Sequence, residues 1–153
     1  MAEYTLYCFA QSGNAYKAAL MLNLCGADWT PRFVDFFNGE TRTPEYKATV
    51  NEMGEAPVLV HGNRKFSQSG VILDYLAERF GKFGWTNDDE RREILRWTLF
   101  DNHKFTSYIA TLRFMMSLAK TGETPVTEFL RMRMTNSLDR KSTRLNSSHV
   151  ALS

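Results

Sequence analysis

The sequence predicts a mixed α/β domain of order βαβαββα over residues 1–81, followed by an all-helical region over 88–138. Three observations carry that prediction. Short β-type runs alternate with stretches of helical spacing in the first half. The stretch 88–120 contains neither proline nor glycine. Between the two, residues 82–87 include Gly84 and read as a linker.

Residues 4–9 place Tyr4, Leu6 and Cys8 on one face and Thr5, Tyr7 and Phe9 on the other. Both faces are mostly apolar, as in a central strand covered by helices on both sides. Ala10 to Asn14 is mostly polar, contains Gly13 and reads as a turn. Tyr16, Ala19, Leu20 and Leu24 then follow helical spacing, and Gly26 is a stop signal. A second strand is predicted over 29–37, ended by Asn38-Gly39. Thr43-Pro44-Glu45 opens a short helix with Thr43 as cap and Pro44 in the first position.

Residues 56–60 form a third predicted strand, His61 to Arg64 a tight turn and 65–68 a fourth strand. Ser69 is read as the cap of a helix with apolar Val71, Ile72, Leu73, Tyr75, Leu76 and Phe80, closed by Gly81. A crossover helix makes the first strand pair parallel, and a hairpin makes the last pair antiparallel. In the second region, Ile94, Trp97, Phe105, Tyr108, Leu112 and Met115 form a helical stripe, with the polar Asp101 as one step. Thr121-Gly122 breaks it, and Thr124-Pro125 starts a helix reaching about Leu138.

Bulk properties exclude several classes. Of 153 residues, 43% are hydrophobic and 13% aromatic, enough for a packed core and too many for a disordered chain. No run of eighteen apolar residues is present, so no membrane span is expected. The start, Met1-Ala2-Glu3-Tyr4, lacks the basic and apolar segments of a secretion signal. Cys8 and Cys25 are isolated, with no C-x-x-C pair and no metal-ligand spacing, which points to no metal and a reducing, cytoplasmic home. The net charge of +2 comes from residues 139–153, where Arg140, Lys141 and Arg144 face Asp139 alone. The remainder is neutral, which gives no ground for a nucleic-acid partner.

The candidate site residues each have two readings. Ser12 sits where a helix cap is expected, and capping is the commonest job of a serine there. Pro57 fits a loop proline leading into an edge strand, and Gln68-Ser69 fits a cap with a solvated neighbour. Cys8, within a strand run, reads as a small core residue before it reads as a nucleophile.

Together these segments resemble one family. Ser12-Gly13-Asn14 followed by Tyr16-Lys17-Ala18-Ala19-Leu20 is similar to the first βα turn of bacterial, serine-type glutathione transferases. Val34 to Glu40 and Arg42-Thr43-Pro44-Glu45 resemble that family's second strand and helix. Asn51-Glu52-Met53-Gly54-Glu55-Ala56-Pro57-Val58-Leu59 resembles its proline loop, and Gln68-Ser69-Gly70-Val71-Ile72-Leu73-Asp74-Tyr75-Leu76 its glutamine/glutamate–serine motif. The resemblance covers Tyr4 to Gly81 closely and extends less specifically to about Leu138.

It implies a thioredoxin-like domain that takes glutathione as co-substrate and activates its thiol for attack on a small electrophile, in a homodimer. It also implies that Pro57 follows a cis peptide bond, that the Val58 backbone pairs with the cysteinyl part, and that Ser69, with Gln68 beside it, receives the γ-glutamyl carboxylate at a helix start. Ser12 would donate its hydroxyl to the sulfur, favouring thiolate over thiol. Some positions depart from the pattern. Phe9 stands where tyrosine-type members have their tyrosine, leaving Tyr7 a weaker candidate, and Cys8 is offset from the cysteine of cysteine-type relatives. Glu52 replaces a common proline, and Glu55 stands where some members have a basic residue, which leaves Lys17 or Arg42 to meet the glycyl carboxylate.

Two rival functions share the fold: a glutaredoxin-like redox protein, which would want a reactive cysteine where Ser12 stands, and a non-catalytic binding protein. Phe105, Tyr108 and Met115 are candidates for lining the electrophile pocket, although an aromatic stripe at helical spacing is more often core. Asp139 to His149 resembles the translation of a sequencing adapter, against the alternatives of a polar tail or the basic end of the last helix. On the first reading 139–153 is non-native and the helical domain is truncated, so apolar surface around Trp97, Phe114 and Met116 is expected to lie exposed.

Overall fold

The computed structural model describes residues 2–150 of the chain, and side chains as far as Asp139. It divides into two compact units, residues 1–88 and 89–153.

In the first unit β1 (Tyr4–Cys8), α1 (Gly13–Cys25), β2 (Trp29–Phe33), α2 (Pro44–Thr49), β3 (Val58–His61), β4 (Arg64–Ser67) and α3 (Ser69–Phe80) follow in that order. The sheet order is β2-β1-β3-β4, with β1 parallel to β2 and antiparallel to β3, and β3 paired to β4 as a hairpin. This is the predicted βαβαββα arrangement. Pro31 lies in β2 opposite Leu6, tolerated because β2 is an edge strand that needs no donor on its open side. The second strand is shorter than expected. After Phe33, Val34 still donates its N–H to the Cys8 carbonyl and is fully buried, and the chain then turns back through Asp35 to Gly39.

Tyr4, Leu6, Ala18, Leu22, Leu59, Ile72 and Leu76 form the heart of one core between the sheet, α1 and α3. The buried face of α1 is not the one the spacing suggested. Ala15, Ala18, Met21, Leu22 and Cys25 point inward, whereas Tyr16, Leu20 and Leu24 are exposed. The helix is apolar nearly all round, so its pattern has little contrast. The set 15, 18, 22, 25 follows helical spacing equally well, and its alanines permit close approach to the sheet.

Thr43 caps α2 through its hydroxyl, which accepts the Tyr46 N–H at 3.1 Å, with Pro44 in the first position. At α3 the capping expectation is corrected. Gln68 is the residue before the first turn, with no side-chain cap, and Ser69 is the first helical residue.

In the second unit α4 (Asp88–Phe100) begins a long helical segment that passes through two π-helical stretches, Asp101–Thr106 and Phe114–Leu118, separated by α5 (Ser107–Arg113). Each π turn takes in an extra residue and rotates the face that follows. Of the predicted stripe, Leu112 is buried, Trp97, Phe105, Tyr108 and Met115 are half-buried, and Ile94 is exposed. After residues 119–124, α6 runs Pro125–Val150. The predicted end near Leu138 is thus too early, because residues 139–150 contain no glycine or proline to stop a helix. Apart from Asp139, the proposed foreign character of 139–153 falls on side chains outside the described residues.

Candidate functional site

The sequence-predicted residues collect around one end of the first unit's sheet. Ser12 is the N-cap of α1, in extended conformation, and its hydroxyl oxygen accepts the Ala15 N–H at 3.1 Å. Among the described residues its hydroxyl proton meets no acceptor. Asn14, in the first turn of the same helix, accepts a hydrogen bond from the Ser69 hydroxyl at 3.3 Å. That bond ties the N-terminal turns of α1 and α3 together. Ser69 is 4% exposed, and the first hydrogen bond of its helix runs from the Ile72 N–H to the Gln68 carbonyl. The N–H groups of Ser69, Gly70 and Val71 therefore open α3 without described acceptors. Two helix N-termini, each with a positive dipole end, meet at one corner, and such a corner favours an anion.

The loop into β3 is fixed from below. The Ala56–Pro57 peptide bond is cis. One residue earlier, the Glu55 carbonyl accepts from the Tyr46 hydroxyl and from the Asn51 side-chain amide, each at 3.0 Å. Asn51 also accepts the Met53 N–H at 3.2 Å. Tyr46 and Asn51 are both buried, and burial pushes the Tyr46 phenol up to about 12, ahead of the charge of Glu40 and the nearby Tyr7. Tyr46 thus stays a neutral donor. Gly54 turns the loop with φ of +66°, and a Cβ there would lie 2.8 Å from the Thr41 carbonyl oxygen. Only glycine fits that close approach without displacing backbone.

Val58, the first residue of β3, lies opposite Tyr7 of β1 and Ser67 of β4. Its strand is interior, so a ligand peptide would meet the Val58 backbone at the strand's start beside Pro57, not along an open sheet edge. A recess of about 320 Å³ next to it is lined by Lys47, Asn51, Val58, Lys65 and Ser67 among others. A larger recess of about 490 Å³, at His61, Arg64, Tyr75, Glu78 and Arg79, opens at the other end of β3 and holds none of the predicted site residues.

Gln68 has φ of +67°, uncommon for a residue with a side chain. Its amide donates to the Glu55 carboxylate at 2.7 Å and to the Met53 sulfur at 3.7 Å. The sequence alone did not reveal the Glu55–Gln68 pairing, the Asn14–Ser69 link or the role of Tyr46. The only available signal for Tyr46 was an aromatic in the first turn of a short capped helix.

Cys8 is half-buried, and burial pushes its thiol up, the opposite of an activated cysteine. Cys25 is buried and shifted the same way, and both are free. Among the described residues, no group of three His, Cys, Asp or Glu could hold a metal ion, and no helix is long and apolar enough to cross a membrane.

The sequence profile of the glutathione S-transferase N-terminal domain matches residues 2–78. The chain belongs to that family. It is 41% identical over 92 residues to glutathione S-transferase 1 of Dianthus caryophyllus, a match covering 60% of this chain and 41% of the carnation protein. It also resembles glutathione S-transferase F14 of Arabidopsis thaliana, 33% identical over 115 residues, covering 72% of this chain and 45% of that protein. The chain thus spans under half the length of these curated relatives. A solved glutathione S-transferase from Pseudomonas fluorescens superposes with a TM-score of 0.87 at 32% identity, covering 95% of this chain and 73% of that one. Other structural neighbours with the same fold were solved with glutathione or its disulfide bound. Ser12, Pro57, Val58, Gln68 and Ser69 all lie within the residues that this profile matches. Phe105, Tyr108 and Met115 lie in the second unit, half-buried, with the Tyr108 hydroxyl accepting from Arg133 of α6 at 2.9 Å.

Proposed function

We propose that this chain binds glutathione at the α1–α3 corner and holds its sulfur as thiolate for attack on a small electrophile, with Ser12 as the serine-type hydroxyl donor. The observation that supports it most is the Ser12 side chain. Its oxygen accepts the Ala15 N–H, and its hydroxyl proton, which meets no acceptor among the described residues, is available to donate to a ligand. A hydrogen bond to sulfur and the positive end of α1 both favour the charged form of the thiol. The Ser69 turn suits the γ-glutamyl carboxylate, and the Val58 backbone beside Pro57 suits the cysteinyl segment. Lys47 and Lys65, in the recess beside Val58, join Lys17 and Arg42 as basic side chains that could meet the glycyl carboxylate. A homodimer in a reducing, cytoplasmic compartment goes with this reading.

The test is an absorbance titration of the glutathione thiol bound to the full chain. We expect a thiol pKa well below the free value of about 8.5, restored toward it by Ser12→Ala with glutathione affinity nearly unchanged. A bound thiol that titrates like free glutathione would favour the non-catalytic alternative. A depressed value that survives Ser12→Ala would transfer the role to Tyr7. The glutaredoxin alternative loses ground because the shift on Cys8 is upward. Residues 139–153 carry a separate reading, as sequence foreign to the gene, supported by the adapter resemblance. A genomic read that encodes them in place after Leu138 would overturn it.

A further inference from the structure

Resting on the glutathione-binding reading, we infer that Tyr46 is a positioning residue. Its hydroxyl, acting through the Glu55 carbonyl, holds the loop 51–56 so that the Val58 main chain is in place before the ligand arrives. The case starts from how completely Tyr46 is committed. Its N–H goes to the Thr43 hydroxyl at 3.1 Å, and its carbonyl accepts the N–H groups of Val50 and Asn51 at 2.8 and 3.1 Å. Its hydroxyl donates to the Glu55 carbonyl at 3.0 Å. One residue, 3% exposed, thus clasps both ends of the loop, Asn51 by its main chain and Glu55 by its phenol.

The same carbonyl takes a second donor, the Asn51 side-chain amide at 3.0 Å, so both of its lone pairs are used from the inner side of the loop. On the outer side Glu52, Met53 and Glu55 are exposed. A phenylalanine would fill the space of Tyr46 with no polar tip to satisfy, so packing does not require the hydroxyl. What the hydroxyl adds is a fixed position for a carbonyl three residues before Val58. A ligand that pairs with the Val58 main chain binds only to molecules whose loop is in place, and its apparent affinity falls with that fraction. A loop ordered in advance removes the ordering cost from binding. Ser12 acts from a different element, the N-terminus of α1. Loosening the loop should therefore weaken the grip on the ligand and leave the sulfur of the bound ligand in the same state.

The experiment is calorimetric titration of the full chain and of Tyr46→Phe with glutathione, joined to absorbance titration of the bound thiol and hydrogen exchange across residues 51–56. Tyr46→Phe should bind glutathione about three- to tenfold more weakly, the size of one neutral hydrogen bond. Exchange in the loop should be faster, and the bound thiol should titrate as it does in the wild type. Asn51→Ser, which removes the other donor to the same carbonyl, should weaken binding in the same way, again with the bound thiol unmoved. A variant Tyr46→Phe with a lower urea midpoint and wild-type affinity overturns the inference and leaves the hydroxyl a purely structural role. So does a variant that fails to fold, or one in which the bound thiol shifts along with the affinity. No binding of glutathione by the wild type overturns the functional reading itself and this inference with it.

Discussion

The two units both carry many apolar residues, yet they bury them to different degrees. In residues 1–88 a four-stranded sheet and the helices α1 and α3 enclose side chains such as Leu6, Leu22, Leu59, Ile72 and Leu76 at 0% exposure. In residues 89–153 the buried described residues are Leu112, Thr127, Leu130 and Ser137, and α4 buries none of its thirteen. Leu95, Leu99, Phe114, Phe129 and Met132 are exposed there, and Trp97 and Met116 are half-buried, so the expectation of open apolar surface holds for Phe114 more than for the other two. A sheet brings four strands of distant sequence into one layer that two helices can cover. Successive helices joined end to end through π turns offer each other much less area. The site residues all lie in the closed unit, where their supports are buried.

The largest test of that contrast compares Leu22→Ala with Leu99→Ala. The first removes a fully buried side chain and should cost about 2–5 kcal/mol of unfolding free energy. The second, at 59% exposure, should stay within about 0.5 kcal/mol. Urea unfolding of both variants gives the comparison, and equal losses would mean that the α4 face is covered in solution.

Alkali should separate the units next. In the first, burial raises the Tyr4 and Tyr46 phenols, Tyr46 to about 12. A folded value above the unfolded one, about 10, stabilises the fold below pH 10, and that contribution is lost as pH rises toward 12. For Tyr46 this is on the order of 2–3 kcal/mol. In the second, the Arg133 hydrogen bond lowers the Tyr108 phenol, so its contribution has the opposite sign. It grows as pH rises through the lowered folded value and is fully present above the unfolded value of about 10. Hydrogen exchange against pH should show protection falling from pH 10 upward in residues 1–88, with the slope reduced by Tyr46→Phe. The same slope in both units would remove the distinction.

Ligand binding offers a narrower probe. Ser69→Ala should weaken glutathione binding by about ten- to hundredfold, from a lost charge-assisted hydrogen bond of about 1.5–3 kcal/mol. Because Ser69 is the first helical residue and not the cap, no separate capping loss is expected. Leu99→Ala should leave the affinity unchanged, and a titration in which both substitutions weaken binding alike would show that the site does not belong to the first unit alone. A further local test of the first unit is Gly54→Ala. Its positive φ and the 2.8 Å approach to Thr41 predict a loss of about 1 kcal/mol or more, read as a lower urea midpoint.

The sequence by itself determined the order of elements in the first unit, the hairpin at Gly62-Asn63, the Thr43 cap and the position of Pro57. Each is set by near neighbours in the chain: a turn by the residues that tolerate it, a cap by one hydroxyl and one N–H, a strand by its alternation. What only the tertiary structure decided is which apolar face of α1 turns inward, since a helix apolar on most sides carries no local instruction and the sheet and α3 make the choice. The same holds above all for the site. Asn14 and Ser69 stand 55 residues apart and Glu55 and Gln68 13 apart, and each pair meets only because β3, β4 and α3 fold back beside the start of α1. Spacing along a chain reports local periodicity, whereas a donor and an acceptor at long range are brought together by the packing of everything between them.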